Sequence, residues 1–405
     1  MKILYFTYYY EPETMAASFR ATDNSKLWKQ MKHRVTVFTG YPNYPLGKIF
    51  DGYDIKLLSK EKNNGIDIIR SKITIHPNTS LVKRLQNALS YYFYGMFNIS
   101  FNGKKIGKDY DVVLGTSGII FNAMLAKTYA SLHRIPFVFE IRDITYKQLQ
   151  ATGKSENSLA VKGMKWLELH LCRKASKVVV VTNGYKKILS EEGISEDKIE
   201  VVTNGVDIDN NTHSYDGNKP FELSYFGTLG ISQNIGSTFK YAEAINKIVK
   251  GFSYLIIGGG AQKEQIEKAA SKSSCIKVLP GMSAEELEPY YNDTQMSVIA
   301  LRKSEDFKYT IPSKLFQVMG RGIAVLFIGP DGESAEIVRK YKAGITLTGT
   351  KAEDIKQLKE FFSNHDWMER LKQMGINGRA AVEKYYSRTK LAEDYIYILD
   401  DVRKK

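Results

Sequence analysis

Cysteine is nearly absent from this 405-residue chain: Cys172 and Cys275 stand far apart and form no CxxC pair. That excludes a disulfide framework or a cysteine zinc site and suits a reducing compartment. The six histidines are scattered, with no HExxH or paired spacing, so no metal site is expected. Long apolar runs are missing too. The longest uncharged span, Leu85–Gly103, is interrupted by Gln86, Asn87, Ser90, Asn98, Ser100 and Asn102, which is too polar for a membrane span. The N-terminus, Met1-Lys-Ile-Leu-Tyr-Phe-Thr7, reads directly as a buried strand and not as a signal peptide. A G-x-G-x-x-G dinucleotide fingerprint is also lacking. Ile256-Ile-Gly-Gly-Gly260 has Lys263 at the last position, and no acid follows about 20 residues on at a strand end.

What is present is ordinary globular composition, 43% hydrophobic and 25% charged, in a chain too long for one core. Basic residues exceed acidic ones, 58 to 44, and the net charge of +14 implies an anionic partner: nucleic acid, an acidic membrane surface or a phosphorylated substrate. No helix-turn-helix, aromatic RNP strand or zinc spacing supports the first of these.

Short β-branched runs alternate with helical stretches, the pattern of an α/β protein with parallel sheets. Strands are expected at Lys2–Thr7, Arg34–Thr39, Ile66–Arg70, Val112–Thr116, Phe137–Ile141, Val178–Thr182 and Ile199–Val202. The cycle restarts with Phe221–Phe226, Ser253–Ile257, Ile276–Leu279, Met296–Ala300, Ala324–Phe327 and Gly344–Leu347. Between the halves, 207–219 is polar and turn-rich, which reads as a linker. Two doubly wound, Rossmann-like domains follow, 1–206 and 220–385. Ligands bind at the carboxyl ends of such strands, so the site is expected in a cleft where the domains face each other.

Candidate site residues cluster at those ends. In Thr310-Ile-Pro-Ser-Lys314, a proline-started helix carries Ser313, Lys314 and Gln317 in its first turns. Lys314 is ill-placed beside a positive helix end unless an anion lies nearby; otherwise it is a surface lysine. Tyr225-Phe-Gly-Thr-Leu-Gly230 opens a small polar loop, with Gly227, Thr228 and Gly230, suited to phosphate or sugar or simply turning the chain. Gly258 and Gly259 admit a ligand close to the backbone or make a tight turn. Gly332, Glu333 and Glu336 begin a helix, as a phosphate cradle or as acids favoured by the dipole. In the first half, Glu13, Ser18 and Arg20 follow the first strand, and Arg142-Asp143 ends a buried one. Each set is a site candidate or a piece of solvated loop and salt bridge. Two DxD triplets, Asp109–Asp111 and Asp207–Asp209, read as structural rather than as Mg²⁺ ligands. The stretch 80–102 carries Leu81, Val82, Leu85, Leu89, Tyr92, Phe93, Met96 and Phe97 at helical spacing, with Lys83 and Arg84 at its start. Core packing is the favoured reading, an interfacial membrane helix the alternative.

Taken together, Pro12–Arg20, Tyr41-Pro-Asn-Tyr-Pro-Leu-Gly47, Glu140–Asp143, Thr203-Asn-Gly-Val-Asp207, Phe226–Gly230, Ile257–Gly260 and Pro312–Lys314 resemble the family-4 retaining glycosyltransferases of GT-B fold. The resemblance is strongest to the fucosamine-transferase-like branch of bacterial O-antigen and capsule synthesis, and it spans nearly the whole chain. It implies transfer of a sugar, N-acetylfucosamine or a related N-acetylated hexose, from a UDP-sugar donor to a polyprenyl-diphosphate-linked glycan. It implies no cofactor and no metal, and a peripheral, cytoplasmic place on the inner membrane surface through a basic N-terminal domain, without nucleic acid. Lys314 and Ser313 would then face the diphosphate, with Gly230 and Gly332 giving backbone contacts, Gln317 on the ribose, and Asp143 near the acceptor or transferring sugar. Asp143, Lys314 and Arg20 would be catalytic, Glu13, Ser18 and Arg142 acceptor-binding. A C-terminal helix over 386–405 would return to the first domain, burying Leu391, Tyr395, Ile398 and Leu399. The family usually has Glu where Gln317 stands, so a non-catalytic sugar-nucleotide-binding subunit is the rival reading.

Overall fold

The computed structural model describes residues 1–77, 81–151, 155–208 and 220–404. It divides into two compact units, Met1–Thr203 with Arg388–Lys405, and Asn204–Ser387. Asp209 and the rest of the expected linker, like Ser80, lie outside the described residues.

The first unit is built on eight strands: β1 Lys2–Phe6, β2 Arg34–Thr39, β3 Leu58–Asn63, β4 Ile66–Ser71, β5 Val112–Thr116, β6 Phe137–Ile141, β7 Lys177–Val180 and β8 Ile199–Val201. Their order is β3-β4-β2-β1-β5-β6-β7-β8, parallel throughout except for the β3–β4 hairpin. The central strands are apolar runs buried along their length, as a sheet covered on both faces requires. Strand β3, Leu-Ser-Lys-Glu-Lys-Asn, has no such run and was not expected. It is a charged edge strand, which discourages pairing with another chain.

The helix after β1 begins at Ala16, so Ser18 and Arg20 are helical and not in a loop. Its N-cap, Met15, makes no side-chain cap bond, which is why the sequence carries no start signal there. The C-terminal helix Arg388–Lys404 packs in this first unit. Leu391, Tyr395, Ile398 and Leu399 are buried, the Tyr395 ring lies 5.2 Å from that of Trp28, and Trp28 Nε1 donates to the Ala392 carbonyl at 3.2 Å.

The helix Leu81–Phe101 packs on the core by one face only. Its buried face carries Asn87, Ala88, Tyr91, Gly95, Asn98 and Ile99, whereas Val82, Leu85, Phe93 and Phe97 are exposed and Leu89, Tyr92 and Met96 half-buried.

The second unit holds six parallel strands: β9 Glu222–Phe226, β10 Ser253–Ile257, β11 Ile276–Leu279, β12 Met296–Ala300, β13 Ala324–Ile328 and β14 Gly344–Leu347. Their order, β11-β10-β9-β12-β13-β14, reverses direction between β9 and β12. Loops diverge at such a switch point and leave a crevice at the carboxyl ends of the strands.

Candidate functional site

That crevice in the second unit holds the strongest candidate site. Of the expected residues, Thr228, Ser313 and Lys314 line a pocket in it. Loop 227–230 leaves β9 and is tied to the loop leaving β10: Gly227 N–H donates to the Ile257 carbonyl and Leu229 N–H to the Gly259 carbonyl, both at 2.8 Å. The Tyr225 hydroxyl reaches round to the Thr228 carbonyl at 2.7 Å and pins the turn. A pocket of about 220 Å³ opens against this loop, walled by Tyr225, Thr228 and Gln233, by the end of β12, and by Pro312, Ser313 and Lys314. This volume suits a phosphate-sized part of a ligand and not a whole nucleotide sugar.

Pro312 is the N-cap of the helix Ser313–Gly320 and not its first helical residue, so Ser313 and Lys314 are the first two helical positions. Their N–H groups belong to the set that lacks intrahelical acceptors. The Lys314 ammonium lies 5.5 Å from the centre of the Tyr225 ring, a cation–π contact. Burial lowers its pKa to about 8, and no charged neighbour contributes. Among the described residues no carboxylate forms an ion pair with it. Lys314 is half-buried, and a partly desolvated cation without a counter-charge is costly and favours an anion.

Two glycines make room for this arrangement. A Cβ on Gly227 would sit 1.2 Å from Lys314 Nζ, and its φ of +146° disfavours any other residue. A Cβ on Gly258 would fall 1.8 Å from the Gly227 carbonyl oxygen. Gly258 therefore serves the site by letting two loops touch, whereas a Cβ on Gly259 would meet open space. Gly230 lies against the Gln233 side chain. Gln317 is half-buried one turn beyond Ser313 and does not line the pocket. Gly332, Glu333 and Glu336 do not line it either. Gly332 packs on the Lys308 carbonyl, Glu333 is buried, and Glu336 is exposed. Tyr225 and Pro312 went unassigned in the sequence, since nothing local marks a ring that will lie under a distant lysine.

In the first unit the expected residues are engaged differently. Arg20 Nε pairs with Glu140 Oε1 at 2.8 Å, and its terminal nitrogens donate to the Thr203 and Val202 carbonyls, each at 3.0 Å. The Tyr5 hydroxyl donates to the other Glu140 oxygen at 3.0 Å. Burial alone would raise the Glu140 pKa, yet Arg20 and Arg142 hold it below the usual range. Arg20 thus brackets β6 and the end of β8. Glu13 is likewise bound to backbone. It is buried, its Oε1 accepts the N–H groups of Asn43 and Tyr44 at 2.9 Å, and Oε2 accepts that of Tyr10 at 3.3 Å. Ser18 is buried in the helix face.

Arg142 and Asp143 do stand at the end of β6. Arg142 N–H donates to Ser117 Oγ at 2.9 Å. Asp143 is exposed on its outer side. Partial burial raises its pKa, opposed by Arg142 and by hydrogen bonds from Gln148 and Tyr185. The segment is anchored from behind by Glu168, whose Oε1 accepts from Thr145 N–H at 3.1 Å and from Thr145 Oγ1 at 3.0 Å. Burial pushes the Glu168 pKa up to about 7. Among the described residues no group of three or more His, Cys, Asp or Glu side chains could share a metal ion.

With this geometry in hand, comparison defines the class. The chain has the GT-B glycosyltransferase fold. It is similar to sucrose-phosphate synthase from Thermosynechococcus elongatus at a TM-score of 0.70 and 12% identity, covering 99% of both chains. It is similar to HepE from Anabaena in complex with UDP at 0.66 and 12%, covering 99% of this chain and 100% of that one. A glycosyltransferase from Rickettsia africae ESF-5 gives 0.64 and 16%, with 100% and 99% covered. At the level of family, residues 20–210, most of the first unit, match the sequence model of Glycosyltransferase Family 4. No curated protein sequence matches the chain.

Proposed function

We propose that the protein is a glycosyltransferase that takes its sugar from a nucleoside diphosphate, most simply UDP. The observation that carries this is Lys314, a half-buried ammonium without a carboxylate, at a helix start and at the switch point of a GT-B sheet. A diphosphate leaving group gathers negative charge as the glycosidic bond breaks, and a fixed cation beside it stabilises that charge most at the transition state. The bound UDP of HepE, on the same fold, is in keeping with this choice of donor.

The finer reading follows from the resemblance. The acceptor is a polyprenyl-diphosphate-linked glycan of bacterial surface polysaccharide synthesis, the sugar an N-acetylated hexose such as N-acetylfucosamine, and transfer retains the anomeric configuration. The leaving charge is met by Lys314 and the Ser313–Gly320 helix start, so turnover should survive a chelator. The substrate's lipid tail keeps the enzyme at the inner membrane face. Asp143 is the first-unit residue assigned to meet the acceptor, being exposed at the end of β6.

The test incubates purified protein with a panel of UDP-sugars and a polyprenyl-diphosphate-linked sugar, reading product by mass and its anomer by NMR. Product from one UDP-sugar is expected. Absence of both turnover and UDP binding overturns the proposal, and UDP binding without turnover favours the subunit reading that Gln317 suggests.

A further inference from the structure

The helix Leu81–Phe101 turns three polar side chains, Asn87, Ser90 and Asn98, into the protein, where they are satisfied, and leaves a row of apolar ones outside. Asn98 Nδ2 donates to the Leu57 carbonyl at 2.9 Å and to Ser71 Oγ at 3.0 Å. Asn87 exchanges two hydrogen bonds with the backbone of His76, at 2.8 and 2.9 Å. Ser90 Oγ accepts from Thr74 N–H at 2.8 Å. Gly95 lets the helix close onto its neighbour, since a Cβ there would lie 2.7 Å from Leu125. The outward face carries Val82, Leu85, Phe93, Phe97 and Phe101, exposed by 66%, 54%, 65%, 45% and 75%, beside the exposed Lys83, Arg84, Gln86 and Ser100.

At about 1.5 Å per residue this stripe runs for about 28 Å. An apolar strip of that length on a water-facing helix marks a surface that something covers. Charge says what. From Ile68 to Lys108 the sequence contains no Asp or Glu, while Lys83 and Arg84 stand at one end of the helix and Lys104, Lys105 and Lys108 follow the other. The three lysines join Phe101, Leu132 and His133 around an open basin of about 1120 Å³, and Leu132 is itself 61% exposed. No described helix is long and apolar enough to cross a membrane. An apolar stripe with basic ends and no acid matches the boundary of an anionic bilayer, where rings and aliphatic chains enter the acyl edge and lysines meet headgroup phosphates.

We infer that the outward face of the Leu81–Phe101 helix, with the Lys104–Lys108 basin, docks the protein on an anionic lipid bilayer. The assignment deepens the membrane part of the function proposed above by naming the surface that makes the contact. It depends on no property of the sugar donor.

Sedimentation of the full-length protein with vesicles tests it. Binding is expected to vesicles of phosphatidylcholine with 30–40% phosphatidylglycerol, roughly the acidic content of a bacterial inner leaflet, and to weaken with added salt. Phosphatidylcholine alone should bind little. Leu85→Gln with Phe93→Gln and Phe97→Gln should reduce partitioning about tenfold or more, and Lys104→Glu with Lys105→Glu and Lys108→Glu should do the same. All six positions lie at the surface, and an unchanged thermal melt confirms that the variants fold. Failure of the wild type to bind anionic vesicles overturns the inference, as does undiminished binding by the apolar variant. A wild-type dimer that this variant turns into a monomer overturns it in favour of a second copy of the chain. UDP titration calorimetry on the same samples separates the two proposals: vesicle binding without UDP affinity would sink the transferase reading alone.

Discussion

Arg20 and Lys314 are both partly buried cations at the carboxyl edge of a parallel sheet, and both are candidate catalytic groups by sequence. Arg20 meets a full carboxylate and two backbone carbonyls, while Lys314 meets an aromatic face and open space. The first has every reason to be where it is without a ligand. The second is held at a loss that only a bound anion repairs. Charge at a sheet edge is therefore not by itself a sign of chemistry; charge whose partner is missing is.

This contrast can be broken by experiment. The largest effect is expected at Glu140. Glu140→Gln leaves Arg20 buried without its counter-charge and should cost about 3–5 kcal/mol in urea unfolding. A loss well under 1 kcal/mol would dissolve the difference between the two cations. Lys314→Ala should lower kcat by about 100-fold or more, roughly 3 kcal/mol of transition-state stabilisation. Lys314→Met, by contrast, should leave stability unharmed or raise it by about 2 kcal/mol near pH 7. The sign follows from linkage. Below about pH 8 the folded protein carries the buried charge in full. Between there and the ordinary lysine value of 10.5 the unfolded chain holds a proton that the folded one has shed, so wild-type stability rises with pH and the advantage of Met fades. A Met variant less stable than wild type at neutral pH would show that Lys314 has a protein partner after all.

A smaller effect is expected in binding. Because an anion favours the charged lysine, UDP affinity should be steady below about pH 8 and fall as pH rises beyond it, with proton uptake visible as a buffer-dependent calorimetric enthalpy. No proton uptake near pH 8.5 would remove Lys314 from the diphosphate. The smallest change belongs to Glu13→Gln, which keeps an acceptor for Asn43 and Tyr44 but loses the charge. About 1–2 kcal/mol of stability should go, with turnover per folded molecule intact. A selective fall in turnover would return Glu13 to the site.

Much of the fold was legible because buried parallel strands are written as apolar runs. β2, β5, β6, β10, β11, β12 and β14 fall on the expected residues, whereas β3, a charged edge strand, has nothing to announce it. Lys314 and Ser313 were legible from a proline beside a charge that a helix start disfavours. Tyr225 was not, because its role is a contact across the fold. Nor was Glu168, which anchors Thr145 from another helix. The helix Leu81–Phe101 shows a different limit. Periodicity announces that an apolar stripe exists, but which side faces inward depends on whether Asn87 and Asn98 find partners, and those come from distant backbone.

One connection bears on how the chain comes off the ribosome. Trp28, fully buried, rests on Tyr395 and hydrogen-bonds to Ala392, 364 residues downstream, while the second unit is contiguous from Asn204 to Ser387. During synthesis the later-made unit can therefore close first, while the earlier one waits with a bare tryptophan for its last helix. Deleting 388–404 should strike the unit translated first, and a chaperone met in that interval would find its apolar surface near the N-terminus.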